Sequence, residues 1–223
     1  MSKITFKGVI QDFLLQDASL MDYLWHKIPI YSRTEIIIRV IVFFLLTLLL
    51  WFVLKPKGFL LMMVFLLSHF INWFFNGHGY QIFYSALGLR YSSRKAIDYI
   101  LRLKNEAEHR NLHVMVYGSW SCGNATSRSD IDIFILNLNL KSIKNSLKLG
   151  LLSTKYRLLA LFNMLSVDIY VIDRVEYLQW RREKKQAEKP IIVSDPSEFI
   201  RRFYDDKITS FEAFLKEIRK LYV

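Results

Sequence analysis

Two aspartates one residue apart, Asp130 and Asp132, open the apolar run "DIDIFIL" (130–136). Strand residues alternate between faces, so both carboxylates project from one side and Ile131, Ile133 and Ile135 from the other. Like charges held that close repel and raise one another's pKa. A divalent cation removes the repulsion, and magnesium commonly binds one or two carboxylates together with substrate phosphates. A third acid, Asp168, stands alone on the polar side of another apolar run, "VDIYVI" (167–172). If the two runs are neighbouring strands, three carboxylates converge, as two-metal in-line phosphoryl or nucleotidyl transfer requires. Asp173 and Glu176 are the reserve acids.

The other half of the constellation lies upstream, where "HVMVYG" (113–118) ends in Gly118-Ser119. A glycine there lets backbone approach a phosphate, the Ser119 hydroxyl can donate to it, and a following helix would present its amides as an anion site. Gly123 keeps the intervening loop slim, and Cys122 within it reads as a small space-filling residue.

Gly118-Ser119, the interval to Ser129-Asp130-Ile131-Asp132 and the lone strand residue Asp168 resemble the polymerase-β-like nucleotidyltransferase superfamily. The nearest likeness is to its minimal members, through the stretch "GSWSCGNATSRSDID" (118–132). The pattern spans residues 93–200, and its specific part is about twenty residues plus Asp168. The resemblance implies an α+β fold, a small mixed sheet with flanking helices. It also implies Mg²⁺-dependent transfer of a nucleoside monophosphate from an NTP such as ATP, with release of pyrophosphate. It places Gly118 and Ser119 on the triphosphate, Asp130 and Asp132 on two Mg²⁺ ions (Mn²⁺ being the alternative), and Asp168 as the third catalytic carboxylate. Trp120 departs from the pattern, since minimal members often carry an arginine soon after Gly-Ser. An Asp-x-Asp pair is also the manganese motif of many nucleotide-sugar glycosyltransferases, but such a domain needs more chain than is present here.

The elements that must hold these residues can be read from periodicity. Strands are expected at 113–118, 130–136, 167–172 and 190–194, and helical patterning at 92–111 and 140–163. One or two helices are expected over 195–223, with Asp195 as cap and Pro196 at the first helical position. The run "RREKKQAEK" (181–189) reads as a solvated charged face.

Ahead of this domain stand "IIIRVIVFFLLTLLLWFVL" (36–54) and "GFLLMMVFLLSHFINWFF" (58–75). Each approaches the roughly 17–25 residues that cross a bilayer as a helix. A chain of 223 residues cannot cover two helices that are apolar on every side. "KPKG" (55–58) leaves room only for a tight turn, so the two form an antiparallel hairpin that spans the bilayer or dips into one leaflet, ending at Asn76-Gly77. Residues 9–28 carry an amphipathic helical stripe with an acidic opposite face. The expected organisation is an amphipathic N-terminal helix (1–33), a transmembrane helical hairpin (34–84) and a nucleotidyltransferase domain (92–223).

The net charge of +11 points to anionic partners, and the basic residues flanking the hairpin put both termini in the cytoplasm. A single cysteine excludes an internal disulfide. His69, Asn72 and Asn76 share one face of the second apolar helix, with His78 just beyond it. They either pair the two helices by hydrogen bonds or receive a lipid-linked phosphate or head group. The expectation is therefore a membrane-anchored enzyme moving an NMP to a membrane-associated acceptor, a lipid-linked sugar or polyol or a head group. Its partners are NTP, the bilayer and that acceptor; nucleic acid is not expected, and a homo-oligomer is an option. The competing readings are a protein nucleotidylyltransferase that adenylylates a partner and a non-catalytic NTP-binding membrane scaffold.

Overall fold

The structure is a computed structural model, and it describes residues 33–76, 84, 92–126, 129–138, 142–184, 188–205 and 207–221. The chain divides into two units, Met1–Ile30 and Tyr31–Val223; the first, with the amphipathic stripe at 9–28, lies outside the described residues. His78 and the side chain of Asn76 lie outside them too.

The second unit begins with two helices, α1 (Arg33–Leu54) and α2 (Phe59–Asn76), packed on one another. The turn between them is as short as the sequence implies, with Gly58 in the left-handed region at φ 56°. Among the described residues one helix, Thr34–Leu54, is long and apolar enough to cross a membrane, and Phe59–Phe75 is a shorter apolar helix. Most of their large side chains are exposed, from Phe44 and Leu48 on α1 to Phe59 and Leu66 on α2.

The remaining elements are α3 (Ser93–His109), β1 (His113–Tyr117), β2 (Ile131–Leu136), α4 (Ile143–Phe162), β3 (Val167–Ile172), α5 (Val175–Lys184), β4 (Ile191–Ser194), α6 (Phe199–Phe203) and α7 (Phe211–Leu221). They form an α+β fold around a mixed four-stranded sheet ordered β3-β2-β1-β4. β1 runs antiparallel to both β2 and β4, whereas β2 and β3 are parallel. Parallel neighbours need a long crossover, and α4 supplies it, its first turn capped by the Ser142 hydroxyl accepting from the Asn145 amide.

Alternation along the strands gives the sheet two unlike faces. Val116, Ile133 and Ile169 join α3, α4 and α7 in the larger core. Met115, Tyr117, Phe134 and Ile172 join Leu178 and Tyr204 in a smaller, aromatic core on the other face.

Two details of the sequence reading are corrected. Helix α5 occupies 175–184, a helix the sequence reading did not assign and whose last turn overlaps the run 181–189 read as a solvated charged face; it forms because Tyr177, Leu178 and Arg181 share a buried face. Pro196 precedes α6 within a turn instead of opening the helix. Asp195 still caps α6, but from a distance, its carboxylate accepting from the Ile200 and Arg201 amides at 3.1 and 3.0 Å and lying 2.7 Å from His113 Nδ1.

β3 is the edge strand next to α1, and its free edge is covered by side chains. Glu35 Oε1 accepts from the Val171 amide at 3.3 Å, and the Arg157 guanidinium donates to the Ile169 carbonyl. Glu35 and Arg157 also pair bidentately at 3.0 and 2.8 Å. At the end of the strand, Asp173 accepts from both the amide and the hydroxyl of Thr34, filling the role of an N-cap for α1. Gly150 of α4 lets α1 approach; a Cβ there would meet Ile38 Cβ at 3.0 Å.

Because Glu35 is 1% exposed and Arg157 10%, removing one partner leaves a buried charge unpaired. Glu35→Ala is expected to cost about 3–5 kcal/mol, read as a lower melting temperature of the detergent-solubilised full chain. The Glu35→Ala/Arg157→Leu pair should cost less than the sum of the single losses.

Candidate active site

The parallel register of β2 and β3 places Asp132 directly beside Asp168. Asp130 stands just ahead of β2, after a turn in which Ser129 Oγ accepts from the Thr126 amide at 2.8 Å. Each of the three acids offers an oxygen within 4.8 Å of the other two. Asp130 is exposed, and Asp132 and Asp168 are half-buried. The three acids singled out in the sequence are thus brought together. The reserve acids are not part of the group: Asp173 caps α1, and Glu176 sits exposed in the first turn of α5.

Crowding carboxylates has an electrostatic consequence. Burial, then the charges of Asp130 and Asp168, push the Asp132 carboxyl up to about 7, against a smaller opposing pull from Arg181. Tyr170, on the same face of β3, is pushed well above its ordinary range by burial, by Asp168 and by Asp132, and it hydrogen-bonds Asp168. It remains a protonated donor.

β1 turns sharply at Gly118, whose φ of 79° lies in the left-handed region. A Cβ there would fall 2.2 Å from Asp132 Oδ2. Glycine is therefore required twice, by the backbone conformation and by the carboxylate against it. Gly118–Trp120 form a single turn of 3₁₀ helix, at the place where the sequence reading put a following helix. The turn closes on itself, with the Ser121 amide and hydroxyl both donating to the Gly118 carbonyl and the Asn124 amide to the Ser119 carbonyl. Ser119 Oγ is buried with no hydrogen-bond partner among the described residues. Trp120 points away from this turn into the larger core, edge-on to Phe214 at 5.5 Å between ring centroids. Its ring is spent on packing.

The residue that sequence reasoning missed is Arg181. It is 8% exposed and stacks over Tyr117 and Phe134, 4.6 and 4.9 Å from the ring centroids. Glu188 accepts from its Nε at 2.8 Å. The signal was the spacing of Tyr177, Leu178 and Arg181 on one helical face, masked by the charges around it.

Of the polar positions singled out on and just after α2, the two whose side chains are described, His69 and Asn72, separate. Asn72 Nδ2 donates to the Arg39 carbonyl at 2.8 Å, joining α2 to α1, and His69 is exposed with its ring 6.4 Å from that of Phe43.

No family model, curated protein or solved structure matches this chain.

A hard divalent cation suits this donor set. Three carboxylates supply oxygen ligands only, and their mutual repulsion is what a cation offsets. The carboxyl of Asp132 is raised from 3.8 by folding. Its protonated form therefore contributes stability that is complete below pH 3.8 and lost as pH rises through about 7. The protein in EDTA is expected to melt at a lower temperature at pH 8 than at pH 5. Asp132→Asn should flatten that slope, and excess MgCl₂ should raise the wild-type melting temperature at pH 8 but not that of the variant.

Proposed function

We propose that the chain is a membrane-anchored nucleotidyltransferase of polymerase-β-like fold, moving a nucleoside monophosphate from an NTP to an acceptor hydroxyl at the cytoplasmic face of a membrane. The observation that carries the reading is the meeting of Asp130, Asp132 and Asp168 beside a Gly-Ser turn whose buried hydroxyl has no partner among the described residues. That hydroxyl is a donor in want of an acceptor, and a triphosphate oxygen is one.

In this reading Ser119 binds the β- and γ-phosphates, and Gly118 lets them lie close to the chain. Asp130 and Asp132 would hold two magnesium ions with Asp168, and the ions would neutralise the triphosphate and acidify the attacking hydroxyl. Asp168 orients that hydroxyl and takes its proton, with Tyr170 fixing the carboxylate. The acceptor oxygen forms a bond to the α-phosphorus as the bond to the β-phosphate oxygen breaks. Pyrophosphate leaves, and the proton passes from Asp168 to solvent.

Two features support a membrane acceptor. Residues 34–54 form a helix long and apolar enough to cross a bilayer. Its first turn grips β3 at Val171, three residues from Asp168 and so about 10 Å along the strand. Holding enzyme and acceptor in one plane raises their effective concentration.

The test incubates the detergent-purified full chain with native membranes, MgCl₂ and each α-labelled NTP in turn. Label should enter the lipid extract; Asp130→Ala and Asp132→Ala should abolish transfer. Ser119→Ala should lower it about 10- to 100-fold, as loss of one hydrogen bond to a charged group does. Label on a polypeptide would make the acceptor a protein, and tight NTP binding without transfer would leave a scaffold.

A further inference from the structure

Helix α4 is apolar on two opposite sides. One side is the core face, with Leu149, Leu152 and Tyr156 packed against the sheet. The other is solvent-facing: Ile143, Leu151, Leu158 and Phe162 are 71%, 61%, 37% and 78% exposed, with Leu147 and Leu161 half-buried among them. At 3.6 residues per turn these six fall within an arc of about 100° and run about 30 Å along the helix. Thr154 shares the arc, but its hydroxyl donates to the Gly150 carbonyl at 3.0 Å, so its polarity is met within the helix. A crossover helix in a domain surrounded by water carries polar residues on that side.

The surroundings of the stripe indicate what it meets. Gly150, on the flank of the arc, is where α4 touches Ile38 of α1, so the stripe lies alongside the hairpin, whose own apolar side chains are largely exposed. Lys144 and Lys148 border the opposite flank and are exposed; Lys155, farther along, is held by Glu106 at 2.6 Å. An apolar band with cations along its edge is the pattern of a helix lying in a membrane interface, its side chains among acyl chains and its lysines at anionic head groups. Exposed contiguous apolar surface of this extent marks an interaction site.

We propose that α4 is a second membrane-contacting element, lying along the bilayer surface at the foot of the hairpin with Ile143, Leu151, Leu158 and Phe162 immersed. The inference rests on the membrane reading above and deepens it. The sheet is then seated on the lipid surface through its own crossover helix, not hung from a tether. Since α4 runs directly into β3, the strand bearing Asp168 lies beside the head groups, and the acceptor class narrows to groups carried at that depth.

The test places single nitroxide labels on the full chain carrying Cys122→Ser, through Leu48→Cys, Leu151→Cys, Leu158→Cys and Lys216→Cys. The protein is reconstituted in phosphatidylcholine vesicles with or without phosphatidylglycerol. Accessibility to oxygen, which partitions into lipid, is compared with accessibility to a water-soluble nickel chelate. Positions 151 and 158 should group with position 48, several-fold richer in oxygen than in nickel contact relative to position 216, and more deeply so with the anionic lipid. Labels at 151 and 158 that behave like 216 while 48 stays in lipid would overturn the inference and leave the hairpin reading intact. Shielding of 151 and 158 from both probes would also overturn it, showing the stripe covered by protein. A water-exposed label at 48 would remove the membrane reading itself.

Discussion

The parallel register that sets Asp132 beside Asp168 is the constraint around which the rest of the sheet is arranged. Two carboxylates on adjacent strands, with Asp130 at the entrance, make a cluster that opposes folding whenever all three are ionised. Its neighbourhood is shaped to tolerate that. Gly118 yields the space that the Asp132 carboxylate occupies, Tyr170 remains protonated and bonds Asp168, and the Arg181 cation partly offsets the field. A cluster of perturbed carboxylates is a functional-site candidate on physical grounds, which is why it dominates the functional reading.

The same register creates an edge. β3 ends the sheet, and an uncovered edge invites pairing with another chain. Glu35 and Arg157 occupy the hydrogen-bonding groups of that edge and neutralise each other there. The first turn of the long apolar helix is thereby joined to the acid-bearing strand through buried polar bonds, and Gly150 lets the two helices close over them. A buried ion pair adds little net stability over apolar packing. It does fix geometry, because its bonds are satisfied in one arrangement and left wanting in others.

Legibility differed between elements for physical reasons. The strands showed themselves because alternation leaves a period of two whatever surrounds them, and the acids stood out as interruptions of that period. The hairpin showed itself because two long apolar runs are separated by the four residues 55–58, which leaves room only for a tight turn. Helix α5 did not, since a long cationic side chain laid over aromatic rings has the same letter as one in water. The single 3₁₀ turn at Gly118–Trp120 was equally hidden, because local composition does not say how many turns a helix start will continue.

By itself the sequence determined the chemical inventory: where the carboxylates stand, where a Gly-Ser pair precedes them, and which runs are long and apolar. These depend on side-chain type and spacing, both one-dimensional. Tertiary structure alone decided that β3 lies parallel to β2, that Asp173 caps a helix instead of joining the acids, and that Arg181 is buried over Tyr117 and Phe134. It also decided that α4 keeps a second apolar face exposed. Such facts depend on which distant segments become neighbours, and hydrophobic burial, being non-directional, leaves that choice to packing, register and the satisfaction of buried polar groups.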